Sequence, residues 1–219
     1  LAPRHMLDDG VEYDGIIRDG FGNKAAELRD PIIPATSDLV LFTSGSTGKP
    51  TKVYRTIRNM EAELDVLESL FGEEIGDGRV YSTVSHEHVY GLLFRLLWPL
   101  VTKRAFATFN FEYPENLLTD ASAAGALVTS PALLKRMGHL DDADACQWRI
   151  VFSSGGLLPD YAAQDATRLL GTCPVEVLGS TETSGVAWRQ QAEHGAAEAW
   201  HTLPEVRIRQ DEEEFLEVS

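Results

Sequence analysis

The residues of this chain best suited to chemistry run from Thr43 to Lys52. Thr43, Ser44, Gly45, Ser46, Thr47, Gly48 and Lys49 are followed by Pro50, Thr51 and Lys52, so hydroxyls, glycines and lysines are crowded into one stretch. Glycine lets a backbone come close to a ligand. Successive N–H groups and hydroxyls then hold an anion, and lysine adds a point charge. That chemistry suits a polyphosphate. A Walker A loop is excluded by spacing: with Gly48-Lys49 as the Gly-Lys pair, the first glycine would fall at Thr43 and the magnesium-holding hydroxyl at Pro50. Pro50 also disfavours helical geometry at Lys49. Taken alone, the stretch also fits an ordinary Gly/Ser surface turn.

Three further clusters stand downstream. Gly179-Ser180-Thr181-Glu182-Thr183 combines hydroxyls with a carboxylate, a hard oxygen ligand for a cation that also binds phosphate. Ser153-Ser154-Gly155-Gly156-Leu157-Leu158-Pro159 has two adjacent glycines that permit close approach of a flat ring. By itself it reads equally as a strand-to-helix turn. His86-Glu87-His88-Val89-Tyr90-Gly91-Leu92 offers two imidazoles at a spacing of two. A structural zinc site wants four ligands, and no third lies nearby in sequence, so a partly buried histidine in a turn is the simpler reading.

Each cluster follows an apolar run that reads as a strand: Leu39–Phe42, Val80–Val84, Ile150–Phe152 and Val175–Leu178. Lys52–Arg55 reads as a strand too, so the first cluster should be a loop between two strands. Between these, Met60, Leu64, Leu67 and Leu70 recur at spacings of three and four and predict a helix over 58–71, closed by Gly72. Further helices are expected over 91–101, over 132–137 with Ser130 as N-cap and Pro131 in the first turn, and from Pro159 to Leu170. Strands are expected at 105–109 and 127–129, and, in the tail, at 186–189, 206–209 and 215–218. Alternating strands and helices predict an α/β fold: a mostly parallel sheet flanked by helices, with a β-rich C-terminal edge. In such sheets ligands sit at the carboxyl ends of strands. The expected organisation is a loop-rich lead-in over 1–37, a nucleotide-binding core over 38–185 and a β-rich edge over 186–219.

The four clusters, in this order, resemble those of the adenylate-forming superfamily, which includes acyl- and aryl-CoA ligases, luciferases and the adenylation domains of peptide synthetases. Phe42 through Pro50 match its phosphate loop, and Thr51-Lys52-Val53 departs from it by displacing the lysine one residue. The block at 179–183 resembles the family's aromatic-Gly-x-Thr-Glu block, with Leu178 where a tyrosine usually covers the adenine. The resemblance implies ATP and Mg2+ as cofactors. It implies that Thr43 to Lys49 hold phosphates, that Thr181 contacts the phosphate of the nucleotide, that Gly155, Gly156 and Leu157 pack against the adenine with Leu178 where a ring usually covers it, and that Gly179 and Ser180 also bind the nucleotide. Thr181, Glu182, Lys52 and His88 become the catalytic candidates, with Glu182 and Thr43 at the metal. His88, Tyr90, Gly91, Ser130 and Gly179 become candidate walls of the carboxylate pocket. The implied reaction joins a carboxylate to ATP, giving an acyl-adenylate and pyrophosphate, and then passes the acyl group to coenzyme A or to an acyl or peptidyl carrier protein. The stretch from His86 to Leu100 is similar to stand-alone bacterial acyl-CoA synthetase-like proteins that feed acyl-chain assembly. The family's ribose-binding aspartate block and mobile C-terminal lysine have no match here, so the chain reads as a core fragment of the large N-terminal domain, poorly active alone.

Composition bounds the rest. A net charge of −15 and 43% apolar residues argue for one sizeable core and against nucleic acid or anionic membrane surfaces as partners. The acidic run Asp211-Glu212-Glu213-Glu214 fits a solvated turn. The longest apolar stretch, Val89–Val101, carries Arg95 and is too short to span a bilayer, so membrane insertion is not expected. Leu1 to Met6 do not resemble a secretory signal. Cys146 and Cys173 form no close-spaced pair, and a reducing, cytoplasmic setting fits. Two rival functions remain from the residues alone: a non-catalytic nucleotide-binding or scaffold domain, and a P-loop nucleotidase, which the Thr43 and Pro50 mismatches oppose.

Overall fold

The computed structural model describes residues 38–44, 50–119, 124–141, 145–191, 199–211 and 214–219. The expected loops before residue 38 and the loop residues Gly45, Ser46, Thr47, Gly48 and Lys49 lie outside the described residues.

Strands β1 (Asp38–Ser44) and β2 (Pro50–Thr56) pair antiparallel, with Thr43 opposite Thr51 and Phe42 opposite Lys52. The residues between Ser44 and Pro50 thus connect two paired strands, as the sequence implied. Helix α1 (Ile57–Ile75) follows at once. Its start is fixed by a reciprocal cap: Thr56 Oγ1 accepts from the Asn59 N–H at 3.1 Å, and Asn59 Oδ1 accepts from the Thr56 N–H at 3.1 Å. Gly72 does not end the helix. Met60, Leu64, Leu67, Phe71 and Ile75 continue the buried stripe through it, while Leu70 faces solvent, and Gly76 at φ 57° makes the stop. Gly72 serves a packing purpose instead, because a Cβ there would lie 2.5 Å from the Glu68 carboxyl.

A six-stranded sheet has the order β3-β4-β5-β6-β7-β8. Strands β3 (Arg79–Ser82), β4 (Ala124–Thr129), β5 (Ile150–Ser153) and β6 (Val175–Ser180) are parallel; β7 (Ser184–Gln190) and β8 (His201–Thr202) continue antiparallel. The expected α/β architecture is therefore observed. Alternate side chains divide between two cores, as the pleat requires. Val80, Ala126, Val128, Ile150, Phe152 and Val175 pack against α1 and against Leu93, Phe94 and Trp98. Tyr81, Leu127 and Val151 pack on the other face with Ala162, Ala163, Ala166, Leu169 and Leu170.

Helix α2 runs through Val89–Gly91, a π-helical stretch Leu92–Leu97, and Trp98–Val101, starting two residues earlier than its apolar run suggested. The buried Arg95 lies in the π stretch and donates to the carbonyls of Val84 and Thr108, both at 3.2 Å. Helix α3 (Pro114–Thr119) was not expected. Helix α4 is only Pro131–Leu134, shorter than the 132–137 expectation, and Ser130 occupies its N-cap position without a side-chain capping bond. Helix α5 (Asp160–Leu170) follows Pro159 as expected. The strand expected over 105–109 is reduced to one bridge between Phe106 and Val80, although Ala107 and Phe111 still donate to the β3 carbonyls of Val80 and Ser82. Its chain path follows the sheet edge without a full ladder. Two short strands, β9 (Ile208–Gln210) and β10 (Leu216–Val218), form a separate antiparallel hairpin, which supplies the β-rich end. Among the described residues no helix is long and apolar enough to cross a membrane.

Candidate active site

The turn between β6 and β7 carries Thr181 and Glu182. Ser180 and Thr183 brace it reciprocally: the Ser180 N–H donates to Thr183 Oγ1 at 3.2 Å, and the Thr183 N–H to Ser180 Oγ at 3.1 Å. Gly179 is required by close approach, since a Cβ there would lie 2.4 Å from the Ser184 carbonyl oxygen. Ser184 itself has φ 61°, a left-handed conformation that costs a non-glycine residue energy. Arg55 on β2 reaches this turn. Its Nη2 donates to the carbonyls of Thr181 (3.2 Å) and Glu182 (2.8 Å) and to Ser184 Oγ (2.8 Å). One guanidinium thus ties the β1–β2 pair to the turn that carries the Thr-Glu pair.

Glu182 is exposed on this turn, and Thr43 is half-buried on β1. Among the described residues no three histidine, cysteine or acidic side chains converge on a metal-sized site. A cation here would rest on Glu182 and phosphate oxygens, which is how magnesium is commonly held beside nucleotides. Lys52 is exposed on β2, with Nζ 6.0 Å from the centre of the Phe42 ring. It lines neither cavity described next.

The larger cavity, about 410 Å³, opens beyond the carboxyl ends of β3, β4 and β5. It gathers His88, Tyr90, Gly91 and Ser130 with Gly155, Gly156 and Leu157, so three of the sequence clusters meet there. Gly91 is confined: a Cβ would lie 2.0 Å from the Ser85 carbonyl oxygen. Gly155 and Gly156, by contrast, face open space. Leu157, 70% exposed, is an apolar platform beside them. Leu178, 39% exposed on β6, lines neither cavity. The Ser130 hydroxyl, not used for capping, contributes to the wall, and Lys135 adds a cation that the sequence clusters did not single out.

A smaller cavity of about 50 Å³ lies alongside and shares Tyr90 and Ser154 with the larger one. Gly179 and Ser180 form one side of it, and Glu63 of α1 another. The Ser154 hydroxyl donates to the Val177 carbonyl at 2.8 Å, which fixes the shared wall. Burial pushes the Tyr90 phenol well above its usual range; the nearby Thr129 backbone opposes this more weakly, without completing a hydrogen bond.

The Gly155–Leu157 turn is held from below by a buried network. Glu176 Oε2 accepts from the Leu158 N–H at 3.2 Å, while Oε1 accepts from Arg189 Nε and Gln191 Nε2, both at 2.9 Å. The Arg189 guanidinium also lies 4.6 Å from the Trp200 ring centre. Sequence reasoning overlooked Arg55, Glu63, Glu176 and Arg189. A charged residue inside the apolar strand Val175-Glu176-Val177-Leu178 is the one local signal that pointed to any of them.

The strand-end clefts and the glycine- and hydroxyl-rich turns define a nucleotide-binding α/β domain of the adenylating type. The chain belongs to the family of AMP-binding enzymes, whose model matches residues 9–216. A 4-coumarate–CoA ligase of Halorhodospira halophila is 25% identical over 193 residues, covering 80% of this chain and 44% of that protein. The chain thus spans about half the length, or less, of the curated relatives it matches. A malonyl-CoA ligase in ternary product complex with methylmalonyl-CoA and AMP aligns with a TM-score of 0.67 at 25% identity, covering 83% of this chain and 40% of that one. ATP-bound MatB from Rhodopseudomonas palustris aligns with a TM-score of 0.64 at 19% identity, covering 78% and 35%, and shares the fold.

Proposed function

We propose that this chain supplies the nucleotide and carboxylate sites of an ATP-dependent, AMP-forming carboxylate–CoA ligase. The observation that carries the reading is the Arg55 bridge, which ties β2 to the Thr181–Glu182 turn, next in sequence to the Gly179–Ser180 wall of the smaller cavity. The 4-coumarate–CoA ligase relatives and the malonyl-CoA ligase neighbour support a thioester-forming enzyme.

In this reading a carboxylate oxygen attacks the α-phosphorus of ATP, the bond to the bridging oxygen breaks, and pyrophosphate leaves. The thiol of coenzyme A, or of a carrier protein, then attacks the acyl carbon and AMP departs. Donors from the Thr43–Lys49 stretch and Thr181 orient the phosphates, and such preorganised donors stabilise the charge that develops in the transition state. Lys52 adds long-range positive charge to the same hairpin. Glu182, with Thr43, would hold magnesium, which neutralises phosphate charge. Gly155, Gly156 and Leu157 offer a flat apolar face to the adenine. His88, which lines the larger cavity with Tyr90 and Ser130, would gate it, and Lys135 of the same lining would be a cation for the incoming acceptor's phosphates.

Calorimetric titration with Mg-ATP tests the nucleotide half of this reading. Binding is expected, and Glu182→Ala is expected to weaken it about ten-fold while changing the unfolding free energy by no more than about 0.5 kcal/mol, as for other exposed substitutions. Equal affinity in the variant would remove Glu182 from the site, and release of orthophosphate in place of pyrophosphate on turnover would overturn the reaction.

A further inference from the structure

The smaller cavity carries a chemical demand that the adenylation reading, on which this inference rests, leaves open. We propose that it seats the acyl part of the substrate and takes a short carboxylate bearing an ammonium group, a small amino acid, with Glu63 as the ammonium's partner.

Size comes first. The cavity holds about 50 Å³, roughly four water-sized groups at about 10–15 Å³ each. A dry pocket that accepts benzene is about 150 Å³, so this volume favours a group smaller than an aryl ring or a fatty chain. Its apolar walls are Val89, Leu93, Phe94 and Val177. Behind Gly185 there is no slack, because a Cβ there would lie 2.6 Å from Leu203 Cδ1.

Polarity comes second. Glu63 is the one charged side chain among the described residues that line this cavity. Its Oε1 accepts from the Gly185 N–H at 2.8 Å, but its Oε2 is shielded from solvent and has no hydrogen-bond partner. The Tyr90 hydroxyl, lining the same cavity, is shielded and unpartnered as well. A buried acceptor left unpaired costs about 1–3 kcal/mol, and more when charged. A carboxylate oxygen can only accept, and a phenol oxygen can accept too. An ammonium has three donors and can serve both, whereas an alcohol has one. A cation also meets the Glu63 charge where little water screens it.

Placement comes third. Gly179 and Ser180 form the side of the cavity adjoining Thr181. A substrate carboxylate at that side would face the phosphate-handling turn, with the ammonium a few bonds away at Glu63. An amino acid carries both groups on one short skeleton.

The test is ATP–pyrophosphate exchange by the protein at its natural length, with a panel of short amino acids, the matching hydroxy acids, their deaminated counterparts, an aryl propenoic acid and a fatty acid. Exchange is expected with a short amino acid. Glu63→Gln, which keeps an oxygen for the Gly185 N–H, should lower kcat/KM for it about ten-fold or more, mainly through KM. It should leave the melting temperature unchanged and narrow the gap to the deaminated acid. Leu93→Ala should admit a larger amino acid while keeping the ammonium requirement. Exchange with only hydroxy, aryl or fatty acids would overturn the ammonium assignment and leave adenylation standing. Undiminished amine discrimination in Glu63→Gln, or unaltered size selectivity in Leu93→Ala, would overturn the role of this cavity. Mg-ATP binding without exchange for any acid of the panel would overturn adenylation itself and the inference with it.

Discussion

Arg55 Nη2 lies 2.8 Å from the backbone carbonyl oxygen of Glu182, across 127 residues of sequence. That bond and its companions to Thr181 and Ser184 make the turn and the hairpin one unit. Arg55 touches carbonyls and a hydroxyl of the protein, so it is a positioning residue. Its replacement should act through geometry. Arg55→Ala is expected to raise the Kd or KM for Mg-ATP about ten-fold or more, since hydrogen bonds from a charged donor contribute about 1.5–3 kcal/mol each. Arg55→Lys, which keeps the charge but on a shorter side chain without the planar guanidinium, should recover only part of that loss. A Mg-ATP titration across the three proteins reads this directly, and full recovery by lysine would show that the charge alone is needed.

Glycines and hydroxyls were legible in sequence because their patterns are local. Gly155-Gly156, Gly179-Ser180 and His88 to Gly91 all fall at carboxyl ends of strands, and the structure brings most of them to two adjoining cavities. The helix α1 stripe is legible from Met60 to Leu67, but the sequence does not show that α1 runs on through Gly72, where the glycine makes room for the Glu68 carboxyl instead of stopping the helix. Ser130 had the chemistry of a cap but leaves its hydroxyl at the cavity. What remained hidden was long-range pairing. Arg55 with Thr181, Glu63 with Gly185 and Glu176 with Arg189 join residues that no window of sequence contains together.

Glu176 and Arg189 offer the sharpest stability test. Both are buried, with side-chain exposures of 3% and 11%, and the carboxylate also orders the Leu158 N–H. Removing one partner of such a pair leaves the other charge uncompensated, which costs about 3–5 kcal/mol. Arg189→Met should therefore destabilise the chain by about that amount and disturb the Gly155–Leu157 turn, weakening nucleotide binding. Glu176→Gln combined with Arg189→Met removes both charges and should regain a good part of the loss, as coupled neighbours do. Chemical denaturation of the single and double variants measures the coupling, and strictly additive losses would mean that the two side chains act separately.

Glu68 of α1 sets the acid limit of the same framework. Its carboxylate accepts from Arg104 Nη1 at 2.5 Å and Nη2 at 2.8 Å, and from Trp98 Nε1 at 2.8 Å, joining α1 to the end of α2. The Arg104 hydrogen bond holds the Glu68 carboxyl below its usual range; burial works against this, and the Trp98 hydrogen bond assists. A carboxyl whose folded pKa is depressed adds stability above its unfolded value, near 4.3, and loses it as pH falls through the lower folded value. Glu68 is partly exposed, so solvent screening keeps the contribution modest. Arg104→Leu should thus be less stable than the unsubstituted chain at neutral pH, and that gap should shrink as pH falls below about 4. Because Glu63 and Tyr90 line the same cavity from α1 and α2, the variant should also weaken carboxylate binding at neutral pH. Denaturant unfolding of both proteins from pH 7 to pH 3 reads the effect, and a stability gap that stays constant over that range would show that Glu68 gains nothing from Arg104.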